Sequence, residues 1–270
     1  IDGVCSTYIL LRGLTRAGAE VDTDIPDRKK DGYGLNEDLV KRAYDAGVDT
    51  IVTCDNGIAA VKEIAYAKSL GMTVIITDHH ELQEEIPPAD VVVNPHQKDC
   101  PYPYKNLCGA GVAWKLVSAL WEQLGVPEQE LYEDLLLFAG FATVGDVMDL
   151  TGENRILVKE ALKLLKTTSH PGISALIEVN EISRETISAF HIGFVLGPCI
   201  NASGRLDTAK RALELLKTTD YEKALVKAAE LKALNDERKS MTDDGVQQAL
   251  DQIENSDMKR DRVLVIYLPD

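Results

Sequence analysis

The chain has 270 residues, a hydrophobic fraction of 45% and a net charge of −15, which results from 29 basic and 44 acidic side chains. This length is enough for one large domain or two smaller ones with a real core, and no apolar stretch of about 18 residues is present to span a bilayer. The negative charge excludes general electrostatic attraction to a polyanion, so any contact with nucleic acid must be local or must involve other parts of the protein.

Strands alternate with helices in the first part of the sequence. Helical spacing of apolar residues is found at 6–16, 39–46 and 58–69. Apolar runs typical of strands are VDTIVTC from Val48, MTVIITD from Met72 and ADVVVNP from Ala89. A succession of strand, helix and strand forms a βαβ unit, which predicts a parallel sheet flanked by helices.

Helical spacing dominates from Gly109 onward. Helices are predicted at 112–124, 131–142, 156–166 and 186–189, and one more that begins after a cap by Asp207 or Thr208 and runs to Leu216. From Tyr221 to about Glu254 the spacing predicts one densely charged helix of about 50 Å, long enough to link two domains. The predicted fold class is α/β, with a parallel sheet flanked by helices, followed by a helical portion and a long linker helix.

Five cysteines are spread over the chain without a C-x-x-C pair. This spacing argues against a disulfide framework and against a structural zinc site. The cysteine pattern is most simply interpreted as that of a protein in the reducing cytoplasm. No contact with a membrane is expected, since the sequence contains no spanning apolar stretch. Because the chain starts at Ile1 and not at a methionine, we expect that an N-terminal part is missing.

Acidic and imidazole side chains follow the apolar runs. The residues that follow or end such a run, or that precede the first helix where a strand end would lie, are Asp2, Asp55, Asp78, His79, His80 and Asp146. Ligands of a parallel sheet bind outside the carboxyl ends of its strands, so these side chains are expected to meet at one edge. One aspartate after a strand is more often a turn former or a helix cap, so the prediction depends on all of them meeting.

The make-up of this cluster predicts the metal and the reaction. Four carboxylates would repel one another unless cations lay between them. Oxygen-rich sites with one or two imidazoles favour Mn²⁺ or Mg²⁺ over Zn²⁺. Two such ions, about 3.5 to 4 Å apart, polarise a phosphoryl group and activate water for in-line attack. We therefore expect a two-metal site that hydrolyses phosphoesters.

Short motifs and longer segments carry a family resemblance. The short motifs are Asp2-Gly3 with Ser6, CDNG at 54–57, DHH at 78–80 and VGDVMDL at 144–150. In this order they resemble the four motifs of the DHH phosphoesterases. The longer segments are IPDRKKDGYGL at 25–35, VVNPHQKDCPYPYKNLCGAGVAWKL at 92–116 and GPCINASGRL at 197–206. They are similar to the RecJ family of bacterial single-strand-specific DNA exonucleases, and the resemblance covers almost the whole chain.

The resemblance implies roles for individual residues. The metal ligands would be Asp2, Asp55, His79 and Asp146, with Asp55 bridging both ions. The catalytic residues would be Asp78 and His80, of which His80 faces the scissile phosphate as a donor to its oxygens or to the leaving group. Family members carry further acidic residues just before the Asp-Gly pair, which implies at least one more ligand upstream of Ile1.

Phosphate and DNA contacts have their own candidates. The resemblance implies that Arg205 grips a phosphate through its guanidinium fork, with support from Asn201. Arg28 would hold a neighbouring phosphate, or it is an ordinary exposed loop arginine. Gly109 and Gly111 precede a helix, where their N–H groups would face an anion or where they would only form the tight turn that starts the helix.

The resemblance also implies the domain organisation. Residues 1–218 would form the DHH catalytic domain, helical in its second half, and residues 219–257 the linker helix. Residues 258–270 contain RVLVIYLPD, which predicts the first strand of a truncated C-terminal DHH-associated domain, because a single strand is not stable alone.

The implied activity is that of an exonuclease. The complete protein would degrade single-stranded DNA from its 5′ end and release mononucleotides during DNA repair and recombination. Parts absent from this chain would bind most of the single strand, so the chain alone is expected to have little processive activity. The sequence identifies neither a protein partner, such as a single-strand-binding protein or a helicase, nor the metal that is used.

Two other functions remain open. Another DHH enzyme would cleave short oligoribonucleotides, cyclic dinucleotides or pyrophosphate, and would lack the GYGL and NASGRL segments. A non-enzymatic DHH scaffold would have lost its metal ligands, whereas Asp55, His79, His80 and Asp146 are all present.

Overall fold

The computed structural model describes residues 1–26, 32, 34–127, 129, 135–256 and 261–268. Within these ranges the helices and strands are α1 (Asp2–Arg16), α2 (Glu37–Asp45), β1 (Thr50–Cys54), α3 (Val61–Ser69), β2 (Thr73–Thr77), β3 (Val91–Val93), α4 (Gly109–Leu124), α5 (Leu136–Gly145), α6 (Gly152–Thr167), α7 (Pro171–Val179), α8 (Ala189–His191), a π-helical segment (Ile192–Leu196), α9 (Gly197–Leu206), α10 (Lys210–Lys217) and α11 (Tyr221–Glu254). None of the described helices combines the length and apolar character needed to cross a membrane.

The three strands form one parallel sheet in the order β1-β2-β3, which confirms the predicted α/β class. Strand β1 pairs with β2 from Thr50 and Thr73 to Cys54 and Thr77. Helix α3 connects these two strands and completes a βαβ unit. Because all three strands run in the same direction, the residues that follow them lie at one edge of the sheet.

Alternate residues of the strands face two different cores. Ile51 and Ile76 belong to a smaller cluster that also contains Val40 of α2. Val52 and Cys54 pack against the main core instead. The sheet is therefore covered on both faces, which explains why its strands are apolar runs in the sequence.

Helix α1 packs in the main core and carries Asp2 in its first turn. It lies close to α4 at Gly13, where a Cβ atom would lie 2.4 Å from the Val117 side chain. Trp121 of α4 donates its indole N–H to the Gly13 carbonyl oxygen at 2.9 Å. These contacts hold α1 and α4 side by side and so fix the position of Asp2.

The helical portion departs from the predicted boundaries. Residues 186–188 are not helical, and the helix that was predicted there begins at Ala189. Helix α5 ends at Gly145 and not at residue 142, while positions 131–134 of that prediction lie outside the described residues. Of the two predicted caps, Asp207 instead ends α9, whereas the Thr208 hydroxyl accepts from the Lys210 N–H at 3.3 Å, with Ala209 directly before α10.

Two helices were missed because their sequences contain residues that disfavour helix interiors. Helix α9 consists of GPCINASGRL, in which Gly, Pro, Asn and Ser have low helix propensity. Cys199, Ile200 and Ala202 of α9 are nevertheless buried, and this burial outweighs propensity. Helix α7 starts with Pro171, which the first turn of a helix tolerates well.

The long helix α11 confirms the helix predicted from Tyr221 to Glu254. Asp220 caps it by accepting from the Lys223 N–H at 2.9 Å. Residues 261–268 form no strand, and the predicted strand there has no pairing partner among the described residues. The domain boundaries and the C-terminal domain therefore stay predictions.

Val147 has a strained backbone at the end of α5. Its φ of 59° lies in the left-handed region, which costs a β-branched residue about 1–2 kcal/mol. The backbone is held there because the N–H of Met148 donates to the Thr143 carbonyl oxygen at 3.1 Å. The side chain is 89% exposed, so no packing compensates the strain.

We expect Val147→Gly to stabilise the fold by about 0.5 to 1 kcal/mol, since glycine relieves the strain but has more conformational entropy in the unfolded chain. Urea unfolding would measure the change in the free energy of unfolding. Val246→Gly is the control, because Val246 is 54% exposed in the right-handed helix α11, where glycine destabilises by about 0.5 kcal/mol. Equal losses of stability in both variants would contradict the strain at Val147.

Candidate metal centre

Asp55 directly follows β1 in an uncommon backbone conformation. Its φ of 56° is left-handed, a region that aspartate tolerates better than most residues. The turn is held by Thr53, whose hydroxyl donates to the Asn56 carbonyl oxygen at 2.8 Å. Gly3 of α1 lies beside this turn, and a Cβ atom there would be 3.2 Å from Asp55 Oδ2. The strand end and the start of α1 thus meet at Asp55.

Asp2 is held by the N-terminus of α4. Its Oδ2 accepts from the Gly109 N–H at 2.6 Å and its Oδ1 from the Ala110 N–H at 2.7 Å. Since helix N-termini attract negative charge, this arrangement favours the ionised carboxylate. The side chain is only 3% exposed.

The same contacts concern Gly109 and Gly111, for which the sequence left open a contact with an external anion or a tight turn that only starts the helix. The Gly109 N–H serves the carboxylate of Asp2, and the Gly111 N–H donates to Cys108 Sγ at 3.4 Å. Both N–H groups are therefore occupied inside the protein. The start of α4 thus binds the Asp2 carboxylate, and a phosphate contact of Gly109 or Gly111 stays a prediction.

His79 brings the predicted metal ligands together. Its Nε2 lies 3.2 Å from Asp55 Oδ1, 3.5 Å from Asp2 Oδ2 and 3.8 Å from Asp146 Oδ2. Asp146 reaches this point from the C-terminal cap of α5, not from a strand end. Four side chains that are far apart in sequence thus share one small volume at the carboxyl edge of the sheet.

Asp78 anchors the loop that carries both histidines. It is 1% exposed, and its Oδ1 accepts from the N–H groups of His79 and His80 at 2.8 and 3.2 Å. Its Oδ2 accepts from the Ile58 N–H at 3.0 Å. Burial alone would raise the pKa of Asp78, but the hydrogen bonds from His80 and Ile58 outweigh it and lower the pKa. Asp78 therefore stays ionised.

His80 forms a pair with Asp78. Its Nδ1 lies 2.7 Å from Asp78 Oδ1, and this hydrogen bond raises the pKa of His80. The imidazole side chain is 48% exposed, unlike the buried Asp78. His80 thus combines an oriented ring, a bias toward the protonated form and access to solvent, which are the properties of a proton or hydrogen-bond donor.

The pKa values of the cluster reflect crowded negative charge. Burial, with a contribution from the charge of Asp55, raises the pKa of Asp2 to about 6. Burial also raises the pKa of Asp146, with a contribution from the charge of Asp2. For His79, burial opposes the charged form, but the hydrogen bond to Asp55 and the surrounding carboxylates dominate and raise its pKa to about 9. The cluster therefore requires positive charge.

Divalent cations fit this requirement. Two groups of side chains could each hold a cation, because the ligand atoms within a group lie within 4.8 Å of one another. The first group is Asp55, His79 and His80, and the second is Asp2, His79 and Asp146. Carboxylate oxygens with one or two imidazoles match the ligand preferences of Mn²⁺ and Mg²⁺. His79 belongs to both groups, whereas Asp55 belongs to one, so the bridging role of Asp55 stays a prediction.

Metal affinity is expected to depend on pH because of His79. An imidazole must lose its proton to bind a metal, and the pKa of His79 is about 9. The affinity for Mn²⁺ should therefore rise by about tenfold per pH unit from pH 6.5 up to pH 9 and then level off. Calorimetric titrations with Mn²⁺ in buffers of different ionisation enthalpy would count the released protons. An affinity that is constant between pH 6.5 and 8.5 would contradict the expectation.

Of the two predicted phosphate ligands that the structure describes, Asn201 and Arg205, only Asn201 lines a cavity next to Asp55. A cavity of about 120 Å³ beside Asp55 is lined by Asn201, Gly204 and Asp207 among others. Arg205 is exposed next to Gly204 but does not line this cavity. Asn201 Oδ1 accepts from the backbone nitrogen of Ile1 at 2.6 Å. Arg28 lies outside the described residues.

Asn94 positions the loop that carries His80, a role that was not predicted from the sequence. It is 2% exposed, and its amide donates to the His80 carbonyl oxygen at 2.9 Å. Its Oδ1 accepts from the His96 N–H at 2.8 Å. Asn94 follows β3 in the same way that Asp55 and Asp78 follow their strands, so the rule about strand ends would have found it.

The sheet, the DHH loop and the converging carboxylates define a class of protein. Residues 1–140 match the model of the DHH family, N-terminal domain, and the chain belongs to this family.

Curated relatives of known activity are similar to this chain over nearly its whole length. The chain is 40% identical over 269 residues to the single-stranded-DNA-specific exonuclease RecJ of Bacillus subtilis (strain 168), an alignment that covers 98% of this chain and 33% of the relative. It is 36% identical over 284 residues to RecJ of Escherichia coli (strain K12), which covers 100% of this chain and 49% of the relative. The chain therefore spans between a third and about half of the length of these curated relatives.

Solved structures agree with this resemblance. One similar structure is that of exonuclease RecJ bound to manganese, with a TM-score of 0.84 and 36% identity over 93% of this chain and 63% of the other. Another is RecJ from Thermus thermophilus in complex with Mn²⁺, with a TM-score of 0.81 and 34% identity over 94% of this chain and 36% of the other. The resemblance to the RecJ family that the sequence motifs indicated is confirmed.

Proposed function

We propose that the chain is the catalytic part of a metal-dependent exonuclease that hydrolyses single-stranded DNA from its 5′ end and releases mononucleotides. The observation that carries the proposal is the convergence of three carboxylates on His79 Nε2 at distances of 3.2 to 3.8 Å. The names of the relatives support the substrate, and the manganese in similar structures supports the metal. Cytoplasmic location and a role in DNA repair and recombination belong to the same proposal.

The proposed metal ligands are Asp2, Asp55, His79 and Asp146. When bound there, Mn²⁺ or Mg²⁺ would polarise a phosphoryl group and activate water. The residues of the chain provide the rest of the chemistry. The hydrogen bonds from α4 hold Asp2 in place, and the turn after β1 presents Asp55 with its left-handed backbone.

His80 and Asp78 are the proposed catalytic pair. Asp78 binds Nδ1 of His80, which leaves Nε2 available to a substrate oxygen. Because Asp78 raises the pKa of His80, the ring can donate to a phosphate oxygen or to the leaving group near neutral pH. Arg205 and Asn201 remain the proposed phosphate contacts, since a guanidinium fork suits two phosphate oxygens.

A non-enzymatic scaffold is the weaker alternative. Such a protein has no need to gather Asp2, Asp55, Asp146 and His79, because the repulsion among buried carboxylates destabilises the fold unless cations bind. A protein that had lost its metals would be expected to replace some of these residues by neutral ones. The observed cluster therefore favours an enzyme.

Product analysis tests the proposal. The chain would be incubated in excess with Mn²⁺ and a 5′-phosphorylated, 3′-labelled single strand, the matching duplex, a cyclic dinucleotide or pyrophosphate. We expect mononucleotides from the single strand and much slower hydrolysis of the other three. Faster hydrolysis of the cyclic dinucleotide or of pyrophosphate would instead assign the chain to another DHH activity.

A further inference from the structure

A row of basic side chains lies on one face of α6. It consists of Arg155, Lys159, Lys163 and Lys166, which all line the same surface groove. Their spacing of three or four residues along the helix gives a row of about 16 Å. Lys163 pairs with Glu160 at 2.7 Å, while the other three form no ion pair with any residue that the structure describes. In a chain with a net charge of −15, such a row requires an explanation.

The groove beside this basic row is apolar. Its volume is about 560 Å³, and Leu150, Val158, Leu162 and Ile187 form its walls. No acidic residue lines it among the residues that the structure describes. A groove with an apolar floor and a basic rim can take a ligand that carries both negative charge and flat apolar groups.

Two exposed phenylalanines lie next to one end of the groove. Phe190 and Phe194 are 60% and 69% exposed, and their rings stack with centroids 5.0 Å apart at an interplanar angle of 25°. Ala189, which lines the groove, directly precedes Phe190. Aromatic side chains normally contribute most when buried, so a stacked pair in solvent is typical of a binding surface. The pair spans α8 and the π-helical segment, a type of distortion often found at functional sites.

The groove and the π-helical segment are both linked to α5, which ends at Asp146. Leu150, which lines the groove, is four residues after Asp146. Gly193 of the π-helical segment packs near Val144 of α5, since a Cβ atom on Gly193 would lie 3.7 Å from the Val144 side chain. Both parts of the surface are therefore connected to α5, the helix whose C-terminal cap is Asp146.

We propose that this surface binds single-stranded nucleic acid, with phosphates along the basic row and bases against Phe190 and Phe194. Grooves that bind single strands combine basic side chains along the backbone with aromatic rings that stack on bases. An acidic peptide would satisfy the basic row but would not require the stacked rings. The inference rests on the proposed function, and it assigns to this chain some of the DNA contact that the sequence had led us to expect mainly from other parts.

The salt dependence of binding tests the basic row. The 270-residue chain, without metal, would be titrated with fluorescent oligothymidylate at several salt concentrations. Lys159→Ala with Lys166→Ala should weaken binding by about tenfold at low salt and reduce the slope of log affinity against log salt by about 1.4. The matched control is Lys62→Ala with Lys223→Ala, which changes the net charge equally at exposed lysines elsewhere and should alter the slope little.

The phenylalanines are tested separately. Phe190→Ala with Phe194→Ala should weaken binding by about tenfold and leave the salt slope unchanged, since stacking involves no phosphate. The proposal is overturned if wild type does not bind the oligonucleotide, or if both lysine pairs have the same effect. It is also overturned if the lysine variant at α6 binds the oligonucleotide normally but loses binding to polyglutamate.

Binding without metal separates this inference from the proposed function. If the chain binds the single strand through this surface but hydrolyses nothing with Mn²⁺, the proposed function fails and the inference stands. If hydrolysis of the single strand is normal but neither double variant changes binding, the inference fails and the proposed function stands.

Discussion

Asp55→Asn is expected to abolish Mn²⁺-dependent hydrolysis of single-stranded DNA, with a loss on the order of a thousandfold or more. Asp55 Oδ1 lies 3.2 Å from His79 Nε2, and the substitution removes one of three negative charges around that atom. Asparagine also tolerates the left-handed backbone at this position, so the fold should remain intact. Thermal unfolding monitored by circular dichroism would confirm folding, and electron paramagnetic resonance would count bound Mn²⁺.

The control for this substitution is Asp243→Asn. Asp243 is exposed on α11 and has the same charge change without a place in the metal centre. It should bind Mn²⁺ and hydrolyse DNA as wild type does. Near-normal turnover by the Asp55 variant would remove Asp55 from the set of metal ligands.

Gly109→Ala is expected to lower Mn²⁺ affinity by roughly a hundredfold or more, although it changes no ligand. A Cβ atom at Gly109 would lie 2.8 Å from the Cβ and 2.9 Å from the Cα of Asp55, and 3.0 Å from Asp2 Oδ2. Backbone atoms cannot move aside as a flexible side chain can, so Asp55 or the start of α4 must shift. Overpacking of this kind costs about 1–3 kcal/mol of stability, and displacement of two ligands disrupts the metal centre.

Gly111→Ala is the matched control in the same helix turn. A Cβ atom there would lie 3.3 Å from the Leu107 side chain and 3.8 Å from Cys108 Sγ, contacts that small movements accommodate. Alanine also has the higher helix propensity, so this variant should be as stable as wild type. Titration with Mn²⁺ and urea unfolding of both variants would test the difference. Wild-type affinity in Gly109→Ala would show that the close approach of α4 to Asp55 is not needed.

The sequence predicted the sheet and its polar edge well, for physical reasons. Strands buried on both faces are apolar runs, and Asp55 and Asp78 end such runs. Because parallel strands end at the same edge, the rule for ligand sites in α/β sheets placed these two residues together. Their partner His79 follows in the same loop, so its position required no long-range information.

The contacts between distant elements were not predictable. Asp2 meets Gly109 and Ala110 only because α1 and α4 pack at Gly13, and no local pattern encodes that approach. The glycines of the first turn of α4 indicated an anion or a tight turn, but no local pattern identified Asp2 as the acceptor of the Gly109 N–H. The helix GPCINASGRL was missed because burial outweighed a sequence that local propensity assigns to a loop.

The most direct test of the metal centre is an anomalous-scattering map of crystals grown with Mn²⁺. We expect ions within about 2.0 to 2.6 Å of carboxylate oxygens of Asp2, Asp55 and Asp146 and of a ring nitrogen of His79. Manganese peaks elsewhere in the protein, with these four side chains free of metal, would contradict the account of the site and the hydrolysis proposed from it.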